Sequence, residues 1–284
     1  MSTIKKVLHF HLTKIIIGFI VCMGAVSLGQ VAIEKSLNIT SIPPDFKKFI
    51  IGLTTALLAL LSYVYLFKFY EKRVLTELNT QRIVKSLVYG AGLGMLLQSL
   101  TVLVIYLKGG YTIVNINPIL FILPPLTMAF TSAIVEEILF RGILFRVIEE
   151  KLGSYLSLLI SALLFGFIHI SNPNSSFLTA VGLAIQAGLL LGAAYIYAKN
   201  LWFPIAIHFA WNFTQSAIFG ANVSGNTIPK TLITSKIEGA EWFTGGEFGP
   251  EGSIQATIFC LVATIALLFL SHKKGNIVKP YWKL

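Results

Sequence analysis

The sequence predicts an all-α protein, a polytopic transmembrane bundle of about eight helices. Three observations carry that expectation. Apolar residues gather in eight runs of roughly membrane-spanning length. Only 12% of the residues are charged, against about 25% in soluble domains. The lysines and arginines fall between the runs instead of being spread along the chain. With 55% hydrophobic residues and a mean hydropathy of +0.79, a soluble core inside a solvated shell is excluded.

The runs lie near 12–33, 49–67, 86–107, 117–140, 154–170, 177–198, 201–219 and 253–271. The first follows Lys5, Lys6 and Lys14. It reads as an uncleaved span, because IIIGFIVCMGAVSLG is long and no small-residue cleavage site follows it. Leu, Ile and Val dominate the first three runs, and their polar residues are mostly Ser, Thr and Gln. The fifth and seventh are short, as suits passes buried inside a bundle. The connection 220–252 is rich in Gly, Asn, Thr and Pro and carries four Glu. It is expected to lack helix or strand pattern, with Trp242, Phe243 and Phe248 packing it onto the bundle or the interface. The organisation predicted is an N-terminal part, 1–115, holding helices one to three, and a second part, 116–284, holding helices four to eight and that loop.

The net charge of +10 does not indicate nucleic acid, since no basic helix, aromatic stacking platform or zinc module accompanies it. With the N-terminus cytoplasmic and eight spans, sixteen of the 22 Lys and Arg fall inside and six outside. That bias predicts both termini cytoplasmic in a multi-pass plasma-membrane protein. Cys22 and Cys260 lie within apolar runs and read as small buried hydrophobes.

Ionisable residues inside a span are costly, so each one marks a candidate function. The second half of the chain concentrates them. AIVEEILFRG brings Glu136, Glu137 and Arg141 to the end of the fourth run. Glu137 and Arg141, four apart, share a helix face and can pair. Glu136 is turned away by about 100° and stays free for acid–base work. LLFGFIHISNP places His169 four residues after Phe165, before Pro173 forbids further helix. FPIAIHFAWNF puts His208 and Asn212 four apart on one face of the seventh run. Taken singly, these segments suit a helix-end ion pair, an interfacial histidine and interhelical glue. Together they point to one site. Gln98, Gln186 and Gln215 are weaker polar candidates. A shared site requires the fourth helix to continue past Arg141 through ILFRVIEE, so that Glu136 lies deep enough to meet His169.

Two mechanisms fit these residues. In one, Glu136, His169 and His208 bind a divalent metal such as zinc, with Glu137 behind them. In the other no metal takes part: Glu136 and His169 activate a water, and His208 and Asn212 donate to the oxyanion. An HExxH motif and a GxSxG turn are both absent from the sequence. Either way, water adds to a peptide carbonyl inside a membrane cavity.

The three segments resemble the CPBP family, whose pattern is EExxxR, then FxxxH, then HxxxN or HxxxD. Glu136-Glu137 with Arg141, Phe165 with His169, and His208 with Asn212 match it in order and spacing. That family includes the CAAX prenyl endopeptidases and the Abi-type bacterial proteins linked to bacteriocin processing and immunity. The resemblance covers about residues 117–219 and implies an eight-helix intramembrane endopeptidase, described in the family as metalloprotease or glutamate-type. It implies water activation by Glu136 and His169 and oxyanion binding by His208 and Asn212. The partners implied are the lipid bilayer and a membrane-embedded or lipidated peptide. Two other classes stay compatible with the sequence. One is a non-enzymatic self-immunity or scaffold protein. The other is a proton-coupled transporter, disfavoured because the two halves share no pair of broken helices.

Overall fold

A computed structural model describes residues 10–283; Lys5 and Lys6, used in the orientation argument, lie outside them. The first three passes are α1 (His11–Asn38), α2 (Pro44–Tyr70) and α3 (Ile83–Leu107). Pro44 opens α2 where its missing N–H has no helical partner to lose. Ile20, Leu28, Leu57, Leu96 and Leu103 are exposed on these helices, forming apolar faces that lipid covers at little cost.

After a short strand, β1 (Tyr111–Ile116), the chain enters α4 (Leu123–Glu137). This helix runs without a break through a π-helical segment, Ile138–Phe145, into α5 (Arg146–Ile168). The continuation past Arg141 that a shared site requires is therefore present. Helical geometry fails at Gly153, with φ 72° and ψ 173°. A Cβ at Gly153 would meet the backbone of Val278 and Pro280 at 2.7 Å, so the C-terminal segment closes over this corner. The rings of Phe140 and Phe165 pack 4.9 Å apart. They lie on opposite sides of Gly153 in sequence, so the chain doubles back there and makes two passes.

The remaining passes are α6 (Phe177–Leu183) continued through the π segment Ala184–Leu189 into α7 (Leu190–Ala198), then α8 (Trp202–Phe213) with the π segment Thr214–Ile218, and finally α10 (Ile254–Lys273). Among the described residues, six helical stretches are long and apolar enough to cross a membrane; one of them, Ile119–Ser171, contains both passes joined at Gly153. Of the two short passes, α8 is largely buried, as expected of an interior helix, whereas the pass after Gly153 departs from that expectation, with Tyr155, Leu159, Leu163 and Leu164 exposed. A Cβ on Gly94 would stand 2.4 Å from the Ile207 carbonyl oxygen. Glycine at this crossing lets α3 lie directly against α8.

The main core joins Cys22, Tyr63 and Phe67 to the π segment Ile138–Phe145 and to Phe165, Tyr195 and Leu201. A buried charge network reinforces it, which the polar content of the first three passes did not suggest. Arg73 Nη2 lies 2.6 Å from Glu77 Oε1, and Arg146 Nη1 lies 3.0 Å from Glu71 Oε2. Tyr63 Oη sits against Glu77 and 3.0 Å from the Gly142 carbonyl, which also accepts from Arg146 Nε at 3.0 Å. Lys14 is drawn to Glu71 at 3.0 Å. Burial alone would raise both carboxyls, yet Arg73 holds Glu77, and Arg146 with Lys14 holds Glu71, below the usual range. Loop 71–82 thereby grips the π segment that follows Glu137.

The connection 220–252 differs from its sequence expectation. It contains β2 (Ile233–Ile237), antiparallel to β1 with Tyr111 opposite Ile237 and an irregularity between Ile113 and Asn115. It also contains the short α9 (Glu241–Thr244). Strand formation here depends on a partner far away in sequence, which local pattern does not reveal. Phe248 is buried in the core, whereas Trp242 stays exposed. Cys22 and Cys260 are buried free thiols.

Candidate active site

Glu136 and Glu137 end α4 and diverge as helix geometry requires. Glu137 is wholly buried. Its Oε1 accepts from Arg141 Nη1 at 2.9 Å and lies 3.0 Å from His208 Nδ1. Arg141 is also wholly buried, and its Nη2 donates to the carbonyls of Ala187 at 2.9 Å and Gly188 at 3.1 Å. Its guanidinium sits 4.7 Å from the centre of the Phe165 ring. The acid–arginine pair is thus an internal anchor between α4, α8 and the π segment Ala184–Leu189.

Glu136 faces the other way. Its Oε2 is buried without a hydrogen-bond partner among the described residues. It lies 3.8 Å from His169 Nε2 and 4.0 Å from His208 Nε2. The Nδ1 of His169 is 2.7 Å from the Phe165 carbonyl oxygen, which can only accept, so Nδ1 carries the proton and Nε2 offers its lone pair. His208 Nδ1 faces a carboxylate and is a donor for the same reason. Asn212 Nδ2 donates to Ser132 Oγ at 3.2 Å, leaving its second N–H for another acceptor.

Glu136, His169, His208 and Asn212 all line one cavity of about 200 Å³. Leu183, Leu190 and Ile207 supply apolar wall, and Ser224 and Ile228 bring the loop 220–252 to it. The six residues singled out from the sequence therefore meet: four at the cavity, and Glu137 with Arg141 directly behind.

Two further residues were not foreseen. Ser132 lies four residues before Glu136, on the same helix face, and that spacing was a usable signal. Glu251 is buried at the cavity wall, accepting the Ser224 amide and, at 3.3 Å, Trp211 Nε1. Burial pushes its carboxyl above the ordinary range. Nothing local distinguishes Glu251 from the other loop glutamates.

The donor chemistry of Glu136, His169 and His208 suits a divalent cation. Their spacing is wider than the edge of about 3.4 Å set by a tetrahedral ion with ligands at about 2.1 Å. Among the described residues no group of three or more His, Cys, Asp or Glu side chains is arranged to hold a metal ion. A water making hydrogen bonds of about 2.8 Å spans the same gaps without movement.

Residues 118–214 match the family described as type II CAAX prenyl endopeptidase Rce1-like, and all six motif residues fall within that stretch. Among curated proteins, "Putative membrane peptidase YdiL" of Bacillus subtilis (strain 168) is 33% identical over 86 residues. That alignment covers 30% of this chain and 32% of the relative, about a third of each. No solved structure matches. Residues 118–214, which carry the six motif residues and much of the cavity lining, are thus similar to the CAAX prenyl endopeptidases of the Rce1-like family.

Proposed function

We propose that this protein is an intramembrane endopeptidase that hydrolyses a peptide bond of a membrane-embedded or lipidated substrate, with Glu136 as general base. The observation that carries this reading is the buried Glu136 Oε2, without a hydrogen-bond partner among the described residues, facing two imidazole Nε2 atoms at 3.8 and 4.0 Å in a cavity whose wall is largely apolar. A water held there donates one hydrogen to Glu136 Oε2 and the other to His169 Nε2, leaving an oxygen lone pair for the substrate carbonyl. Glu136 takes the proton as the C–O bond forms. The oxyanion receives the free Asn212 N–H and an Nε2–H from His208. His208 then bears protons on both ring nitrogens, and Glu137 balances that charge through Nδ1. Collapse of the tetrahedral species breaks the C–N bond, and the proton held by Glu136 passes to the leaving amine.

No step in this scheme requires a metal. The match to a CAAX endopeptidase family supports a peptide substrate near a lipid chain. The test is purified full-length protein in detergent with quenched-fluorescence apolar peptides, products being identified by mass spectrometry. Wild type is expected to cleave, while Glu136→Gln and His169→Ala, still folded, lose at least about a hundredfold in rate. Equal product from wild type and Glu136→Gln defeats the reading. So does an immunity phenotype that survives both substitutions while no cleavage occurs.

A further inference from the structure

Resting on that reading, we propose that Gln186 is a substrate-binding residue whose side-chain carbonyl accepts a backbone N–H of the bound peptide beside the scissile bond. Gln186 is 2% exposed and lines the same cavity as Glu136, His169 and His208. Its amide orientation follows from its neighbours. Nε2 lies 2.7 Å from Thr257 Oγ1. The Thr257 hydroxyl directs its own hydrogen to the Ser253 carbonyl at 3.3 Å. Thr257 can then only accept from Gln186, so Nε2 points to Thr257 and Oε1 points away. That Oε1 is buried and accepts nothing from any described residue.

A buried amide oxygen without a donor is destabilising, and the fold keeps this one in a fixed place. Gln186 sits inside the π segment Ala184–Leu189, whose Ala187 and Gly188 carbonyls are held by Arg141. The other side of the residue is pinned to α10 through Thr257. π segments recur at functional sites because they re-aim side chains. Here the same arginine that orders Glu137 also fixes the turn presenting Gln186. An extended peptide entering a cavity at membrane depth brings backbone N–H groups with no water to satisfy them. Glu136 is committed to the reacting water, and Asn212 and the protonated His208 supply donors. Among the side chains named at this cavity, Gln186 Oε1 is the neutral acceptor that is both buried and without a donor.

The experiment uses the full chain in detergent and the apolar peptide cleaved best by wild type, N-methylated at one amide at a time. One methylated position is expected to raise the wild-type KM by about 5- to 50-fold, as loss of a hydrogen bond to an otherwise unpaired group should. Gln186→Leu is expected to raise KM for the unmethylated peptide by a similar factor, with kcat within about threefold, and to be indifferent to methylation at that position. Thr257→Val frees the amide without removing it and should show a smaller rise with the methylation sensitivity retained. A Gln186→Leu protein with the wild-type KM and methylation profile overturns the assignment. The same peptides are also measured by fluorescence anisotropy on a Glu136→Gln background, where turnover is not needed. If wild type cleaves nothing, the hydrolase reading falls, and binding still decides Gln186. Position-specific loss on Gln186→Leu supports it, and identical binding at every methylated position overturns it.

Discussion

His208 Nδ1 lies 3.0 Å from Glu137 Oε1, so the second acid of the pair orients the imidazole of a helix seventy residues away. Because Arg141 binds the same oxygen, the carboxylate is shared between a guanidinium and the ring that the proposed scheme needs protonated on both nitrogens. In the proposed mechanism Glu137 has a positioning role distinct from that of Glu136. Glu137→Gln should retain a folded protein with activity reduced by about 10- to 100-fold, with a changed pH–rate profile, whereas Glu136→Gln should be inactive at every pH. Arg141→Met should be worse for folding than either, by about 3–5 kcal/mol, since it strands a buried carboxylate. Pairing it with Glu137→Met should recover much of that stability without recovering activity. Thermal unfolding in detergent, read beside the cleavage assay, separates the two effects.

Metal removal gives a second prediction. The gaps of 3.8 and 4.0 Å around Glu136 Oε2 suit a bridging water better than a tetrahedral ion. Cleavage is therefore expected to survive prolonged treatment with a strong chelator, and elemental analysis of active protein should find well under one zinc per chain. Loss of activity on chelation that added zinc restores would return Glu136, His169 and His208 to the role of metal ligands.

The passes were legible because a membrane demands long apolar runs and permits few substitutes for them. The meeting of Glu136, His169, His208 and Asn212 was legible for a different reason. Each pair is set by spacing within one helix, and polar side chains in such runs have few places to go except inward. The π segments were not legible: a one-residue change in helical winding has no compositional mark, yet it presents Gln186 and exposes the Ala187 and Gly188 carbonyls to Arg141. The pairing of β1 with β2 was hidden by the long chain between them. Glu71, Arg73 and Glu77 lie between two apolar runs of the sequence, and only the packing of that loop against Tyr63 and Gly142 buries them.

That loop cluster has a defined pH signature. Glu77 and Glu71 titrate below the usual carboxylate value of 4.5 in the folded protein. Their ion pairs therefore contribute fully above the unfolded value and are lost as pH falls through the lowered one. The contribution of these ion pairs to the melting temperature should be flat from neutral pH down to about 5 and drop below it. Arg73→Met should lower the melting temperature at neutral pH and weaken the acid-side drop. An acid-side drop of unchanged size in Arg73→Met would show that these carboxylates are not its source.

Glu251 should behave in the opposite sense. Its carboxyl is raised by burial even though Ser224 and Trp211 donate to it. A group whose folded value lies above its unfolded one stabilises the protein most at acidic pH, and that contribution fades as pH rises through the raised value. Glu251 ties the loop residue Ser224 to Trp211, which lies between His208 and Asn212 on α8. Loosening that tie should therefore disturb the site as well as the loop. Glu251→Ala should cost about 1–3 kcal/mol by removing the acceptor of two buried donors, and should lower cleavage. Glu251→Gln, neutral at every pH, should lose part of the hydrogen bonding and flatten the stability profile above about pH 5. Melting curves across pH for wild type and both variants test this directly. A Glu251→Gln profile parallel to that of wild type would mean that Glu251 does not titrate in the folded protein as its burial requires.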